Sequence, residues 1–445
     1  MPALVPAHRW IPLAAALALL LSACAHAPER APAATALPPD TAQILPAPAL
    51  APPVAQKIPF DVVSPAGTRS DPYFWLRDDT RSQPRVLDHL KAEQAYFEAR
   101  YAPLRPLQER LYAEMRARIQ EDDSSVPVYE DGYWYLTRFT AGQQYPVYVR
   151  HQGSLEAPEE VLIDGNERAQ GHNYYQTANV VVSENGQIMA VAEDTVGRRQ
   201  YEVRFKDLKT GQWLPDVISN VDASIAFADD HRTVYVVEKD PTTLLPFRVK
   251  RHVLGTPASA DEVVYEEKDN TFYTAVYRSK SDRYIMISVD STLTTETRIA
   301  SAADPRANFQ VYLPRERGHE YQVDDSGSAF VIRSNKDAPN FALYTAPATV
   351  PGNPATFKPL LPHRADALIQ GFELFQDRIA VNERSEGLRK IRLLSLDGRQ
   401  NEVLAANEPA YVMGLSETPE LDSGKLRYTY TSLTTPATVY ELDFA

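Results

Sequence analysis

At 445 residues, 44% of them hydrophobic, the chain is long enough for one large repeat domain or two to three ordinary ones, which excludes disorder of the whole. Its 46 basic and 59 acidic residues leave a formal net charge of -13. That balance argues against a phosphate-binding surface, so no nucleic acid partner is expected; it suits short basic peptides, and it also serves solubility alone.

The first 24 residues have the three parts of an export signal: a basic start at His8 and Arg9, an apolar run over 11–21, and a small-residue region. The apolar run is shorter than the roughly 20 residues that span a bilayer. It leads into Leu21, Ser22, Ala23 and Cys24, which resembles the lipobox of bacterial lipoproteins. Cys24 is the only cysteine, so it has no disulfide partner. The expectation is a signal peptide and lipobox over 1–24, lipid attachment at Cys24, and membrane contact through that anchor only. Ala25 and His26 stand where an Asp would retain a lipoprotein at the inner membrane, which points to a periplasm-facing protein on the outer membrane. Residues 25–56 hold 11 Ala and 8 Pro, the composition of an extended, semi-rigid tether.

Residues 57–124 read as an N-terminal extension with two helices. Leu87, Leu90, Phe97 and Tyr101 fall near one face of the first. In the second, Pro106 occupies a first turn, and Leu107, Leu111, Met115 and Ile119 recur every four residues. After Gln120 the period changes from 3.6 to 2, and short runs of aromatic and β-branched residues alternate with Gly, Asp, Asn and Pro. Segment starts near 176, 223, 272, 320, 368 and 411 lie 43 to 49 residues apart. Each unit reads as a strand, a tight acidic or Gly turn, a second strand and a polar connector. A single such sheet cannot bury both its faces, so neighbours must stack. With the unit over about 125–165, the count predicts an all-β, seven-bladed β-propeller over 125–445; two β-sandwiches are the alternative.

Catalytic motifs are absent. Gly414, Leu415 and Ser416 begin like a G-x-S-x-G nucleophile elbow, but Thr418 replaces the second Gly. Gly327 and Ser328 lie in an acidic turn. His319 and Glu320 start no H-E-x-x-H motif, and neither a P-loop nor G-x-G-x-x-G occurs, so no metal or cofactor is expected. The acidic pairs Asp122–Asp123, Asp229–Asp230 and Asp324–Asp325 recur at strand turns, which favours a structural role over paired-carboxylate chemistry.

Longer segments carry a resemblance. DPYFWLRDD (71–79), LDHLKAEQAYFEA (87–99) and RIQEDDSSVPVYEDGYWYLTRFTAGQQYPVYVR (118–150) resemble the start of oligopeptidase B, of the prolyl oligopeptidase family. YLPRERGHEY (312–321) and FVIRSNKDAPNFALY (330–344) are similar to the same family. The resemblance implies a serine endopeptidase that cleaves short peptides after Arg or Lys, with a propeller that filters substrates by size and a C-terminal α/β-hydrolase domain that holds Ser, Asp and His. It places the end of the sequence where that domain would begin. No catalytic residue is therefore carried over, and the chain alone is expected to be inactive. The hydrolase domain, if separately encoded, becomes a partner, with Glu121, Asp122 and Asp123 as candidate interdomain contacts. A peptide- or protein-binding propeller without catalysis, and a degenerate fragment, are the competing readings.

Overall fold

The computed structural model describes residues 51–444. The export signal, Cys24 and the 25–50 part of the tether lie outside the described residues. The chain divides into two compact units, the first ending at Arg116 and the second beginning at Ala117.

In the first unit, Asp61–Ser64 and Gly67–Ser70 form a hairpin. Phe60 stacks on Phe74 at 4.0 Å, and the Trp75 indole N–H donates to the Gln56 carbonyl at 2.7 Å. The Trp75 ring also meets the Arg85 guanidinium at 4.6 Å and the edge of His89, which ties the hairpin segment to the helix. The two expected helices are corrected to one helical run. Pro84–Tyr101 passes through a 3-10 stretch, Ala102–Leu104, directly into Arg105–Ala117. Tyr101, Ala102 and Arg105 all keep right-handed helical dihedrals, and proline's fixed φ fits that region. Pro103 and Pro106 remove N–H donors, so the backbone tightens locally without leaving the helix. Leu90, Leu107, Leu111 and Met115 are exposed along it.

The second unit is built of antiparallel sheets. The first has five strands: Asp123–Ser124, Val128–Glu130, Tyr133–Phe139, Val147–Gln152 and Glu159–Asp164. The second has seven strands between Gln176 and Glu266. The third, fourth and fifth have four strands each, and begin at Tyr273, Tyr321 and Ala367. The sixth has three, Tyr411–Leu415, Lys425–Ser432 and Thr438–Asp443. The expected seven separate four-stranded blades are thereby corrected: five blades have four or more strands, and a three-stranded sheet follows them.

The reason lies in one strand. The sequence period puts a new unit near 223, but Gln212–Phe227 is continuous for 16 residues. Its first part pairs backward with Tyr201–Asp207 and its last part forward with Thr233–Lys239. A register shift between Val221 and Ile225, next to Asn220 at φ 59°, bends it without breaking the ladder. The two halves of the fused sheet then pack on each other, with Phe205 and Phe227 edge to face at 6.5 Å.

Inner strands of this kind are buried on both faces. In the third sheet, Ile285, Ile287 and Val289 pack against Tyr235 and Val237 of the second. Met286, on the opposite face, packs against Tyr321, Val323 and Phe330 of the fourth. Alternate residues of one strand thus serve two interfaces.

One buried polar tie anchors the fused sheet. His252, fully buried, bonds Asp261 through Nδ1 at 2.7 Å and Asp216 through Nε2 at 3.1 Å. Burial works against its charge, but the hydrogen bonds and charges of Asp261 and Asp216 outweigh it and raise the imidazole pKa above the ordinary 6.5. The stabilisation from this proton is complete below the unfolded value and is lost as the pH rises through the raised folded one. Replacing His252 by Ala should cost about 3–5 kcal/mol, read from urea unfolding, because two carboxylates stay buried without their cation. The His-linked decline in stability with rising pH should be absent from the variant.

Candidate functional site

The turns between the inner strands converge. A cavity of about 490 Å³ is lined from the first sheet by Glu130 and Asp131, from the third by residues 278–282, from the fifth by Glu373 and Gln376, and from the sixth by residues 417–422. The first and last sheets also meet each other. The Arg427 guanidinium donates to the Pro127 carbonyl at 2.6 Å, and the Asp131 N–H donates to Glu420 at 2.7 Å. Those two contacts join the ends of the series without a shared strand ladder.

Local sequence explains each wall. Asp131 at φ 48° and Gly132 at φ 83° make the two-residue turn that joins Val128–Glu130 to Tyr133–Phe139 and thrusts a carboxylate forward. Asp282 at φ 59° does the same in the third sheet. Asx-type turns favour acidic residues, so repeating the turn around a ring concentrates negative charge at one end of it.

The lining holds seven carboxylates and two cations, Arg278 and Lys280. Both cations are engaged. Arg278 pairs with Glu184 at 3.0 Å, Asp229 at 2.9 Å and Asp282 at 3.2 Å, and donates to the Phe227 carbonyl at 2.7 Å. Lys280 pairs with Glu373 and donates to the Thr418 carbonyl, while its backbone N–H bonds Asp324 at 2.9 Å. Among the described residues, no Lys, Arg or His forms an ion pair with Glu130, Asp131, Glu417, Glu420 or Asp422.

The electrostatic consequence is a set of carboxyl groups that resist ionising. Poor hydration inside the cavity, followed by the charges of Asp131, Glu417, Asp282 and Glu420, pushes Glu130 up to about 7. Asp131 rises to about 6, first through desolvation and then through Asp282, Glu420 and Glu184, against the opposing pull of Arg278. Asp324 rises to about 6, chiefly by burial. Glu184 and Asp282 are raised by burial too, although Arg278 moderates both. Such an arrangement attracts a cation and repels an anion.

Of the residues singled out from sequence, Thr418 lines the cavity, Asp229 and Asp324 bond its Arg278 and Lys280, and Glu121, Asp122 and Asp123 lie elsewhere. Asp122 accepts the Ala141 N–H at 2.7 Å, and Asp123 accepts the Ser124 N–H at 2.8 Å where the first sheet begins. Glu121, just before them, is half-buried. Ser416, read as a failed nucleophile elbow, donates its N–H to the Arg427 carbonyl at 3.0 Å. Among the described residues no three His, Cys, Asp or Glu side chains are grouped to hold a metal. Sequence reasoning missed the cavity because its residues come from strand ends, such as Glu130 and Glu373, as well as from turns, and only the stacking of the sheets brings them together; the repetition of acidic turns was the available signal.

The profile of the prolyl oligopeptidase N-terminal beta-propeller domain matches residues 52–445. The chain belongs to the prolyl oligopeptidase family. It is 46% identical over 399 residues to dipeptidyl aminopeptidase BI of Pseudoxanthomonas mexicana, covering 86% of this chain and 55% of that protein. Protease 2 of Moraxella lacunata is 27% identical over 382 residues, covering 84% and 54%. The structure of oligopeptidase B from Leishmania major superposes with a TM-score of 0.83 at 30% identity, covering 88% of this chain and 59% of that one. The chain therefore spans about half the length of the curated relatives it matches.

Within this propeller the raised carboxyls carry a stability signature. A carboxyl raised in the folded state opposes folding once the pH exceeds its unfolded value, and the penalty grows until the pH passes the folded one. Glu130→Gln should raise the urea midpoint at pH 8, and the gain should shrink toward zero as the pH is lowered to 4.5. An equal gain at both pH values would show that Glu130 is not the strained group described.

Proposed function

We propose that this chain is the substrate-admitting propeller of an oligopeptidase-B-like serine endopeptidase, that its acidic cavity draws in short basic peptides, and that cleavage after Arg or Lys takes place in an α/β-hydrolase domain, the arrangement of such enzymes. The observation that carries the reading is the excess of seven carboxylates over two cations that are both already paired. A peptide's guanidinium or ammonium entering there would relieve repulsion among Glu130, Asp131 and Glu417 as well as gain attraction. On this reading, sheet ends converging over the hydrolase domain would restrict entry to short chains.

Calorimetric titration with a short Arg- and Lys-containing peptide, against one of equal length with Glu in those positions, tests the reading. The basic peptide should bind saturably, more weakly at high salt, and several-fold more weakly at pH 5 than at pH 8, because Glu130 and Asp131 take up protons between those values. Equal binding of both peptides, or of neither, would sink it. The same propeller could bind basic peptides without any cleavage; a fluorogenic Arg peptide distinguishes the two readings once a hydrolase domain is supplied.

We also propose that Cys24 is lipidated and holds the protein on the periplasmic side of the outer membrane. Cys24→Ser should move the protein from the membrane fraction to the soluble periplasmic fraction in cell fractionation. A variant that stays in the membrane would contradict the anchor.

A further inference from the structure

The fourth sheet carries a second cavity, of about 400 Å³, at the opposite end from the acidic one. The register fixes this placement. Asp325 pairs with Phe330 at the acidic end, and Tyr321 pairs with Ser334 at the other, where the second cavity opens. The pocket lies wholly within this sheet and its flanking connections, residues 313–319, 334–338 and 354–363.

Half of its lining is apolar: Leu313, Pro314, Ala338, Tyr344, Pro354 and Phe357. Leu313 is buried in the cluster that holds Tyr321 and Phe330, and Tyr344 and Phe357 pack on the same cluster with their rings 6.1 Å apart and tilted by 40°. Pro354 closes one side. Aromatic rings at this spacing leave faces and edges that a third ring can meet. The volume falls within the range of sites that enclose a small ligand or a large side chain.

The polar lining is His319, Ser334, Glu316, Lys336, Asp337 and His363. His319 Nε2 and Ser334 Oγ lie 2.8 Å apart, and Ser334 Oγ also accepts the Lys336 N–H at 3.1 Å. Burial is the main cause of a His319 pKa below the ordinary 6.5, so the ring is neutral at neutral pH. At the rim, the Lys336 ammonium pairs with Glu316, and both side chains are half exposed. Glu316 and Lys336 offset each other and Asp337 adds one carboxylate, so an anion gains nothing here, whereas the His319–Ser334 pair offers hydrogen bonding to a neutral amide. An exposed rim pair of this type is worth little, so it does not close the entrance against a ligand.

We propose that this pocket is a binding site for the aromatic side chain of an uncharged peptide segment, with the ring against Tyr344 and Phe357 and an adjoining amide at the His319–Ser334 pair. The site is separate from the acidic cavity, and the proposal does not rest on the peptide-admission reading. It gives the propeller a foothold for an aromatic side chain at the end of the fourth sheet away from the acidic cavity.

The test is a titration of the whole chain with N-acetyl-4-fluorophenylalanine amide followed by 19F NMR, with N-acetylglycine amide as the control in a parallel calorimetric titration. Saturable binding of the aromatic amide, at least tenfold stronger than that of the glycine amide, is expected. Phe357→Ala should weaken it fivefold or more, and Lys336→Ala should leave it within twofold. Hydrogen exchange on the unsubstituted protein supplies a readout that needs no variant: the aromatic amide should protect residues 313–319, 334–338 and 354–363. Absence of saturation, binding equal to that of the glycine amide, protection elsewhere, or unchanged affinity in a folded Phe357→Ala protein would each overturn the proposal.

Discussion

A β-sheet whose inner strands are apolar on both faces cannot stand in water alone, and every larger feature of this propeller follows from that constraint. Ile287 and Met286 are adjacent in one strand and fully buried, yet they belong to different interfaces, one with the preceding sheet and one with the following sheet. Burying a side chain of this size is worth about 1.5–3 kcal/mol, and the gain is available only while both neighbours are in place. The sheets are therefore mutually dependent. The terminal sheets complete the series through Arg427, Pro127, Asp131 and Glu420, a join made of side-chain contacts where the rest of the structure relies on packed apolar faces.

Stacking also dictates the electrostatics. Strands packed face to face direct their inner turns to a common place, and each turn brings the residue types that turns favour, chiefly Asp and Glu. Glu130, Asp131, Asp282 and Glu417 are unremarkable one at a time; brought together they perturb one another. Arg278 is the counterweight, bridging Glu184 on the second sheet and Asp282 on the third. The cavity is thus a by-product of the packing rule with a chemical character of its own, and this is the link from fold to function that a peptidase family member can exploit.

Much of the architecture was legible in the sequence, through the 43- to 49-residue spacing and the change of period after Gln120. The miscounted blades have a local cause. Between Gln212 and Phe227 the chain stays extended through Pro215 and bends at Asn220 without a turn, so the join between two units lies inside one strand. The helical run was misread for the opposite reason: Pro103 and Pro106 look like breaks, but their φ is compatible with the helix they interrupt. The acidic pairs show how far composition goes. Asp230 holds its turn by accepting the Arg232 and Thr233 N–H groups, while its neighbour Asp229 pairs with Arg278 beside the cavity. Distinguishing the two requires the relative position of strands about 50 residues apart, which no local pattern holds. The aromatic pocket was invisible for the same reason, since Leu313 and Phe357 come from two separate connections and Tyr344 from a strand between them.

The central claim is that the cavity where the inner turns converge receives the positive group of a peptide. Photo-crosslinking a short Arg peptide that carries a benzophenone next to the Arg, followed by mass spectrometric mapping on the whole chain, tests it most directly. Crosslinks concentrated at residues 278–282 and 417–422, and suppressed by high salt, are the predicted result. Crosslinks spread over the outer strands, or insensitive to salt, would contradict the account.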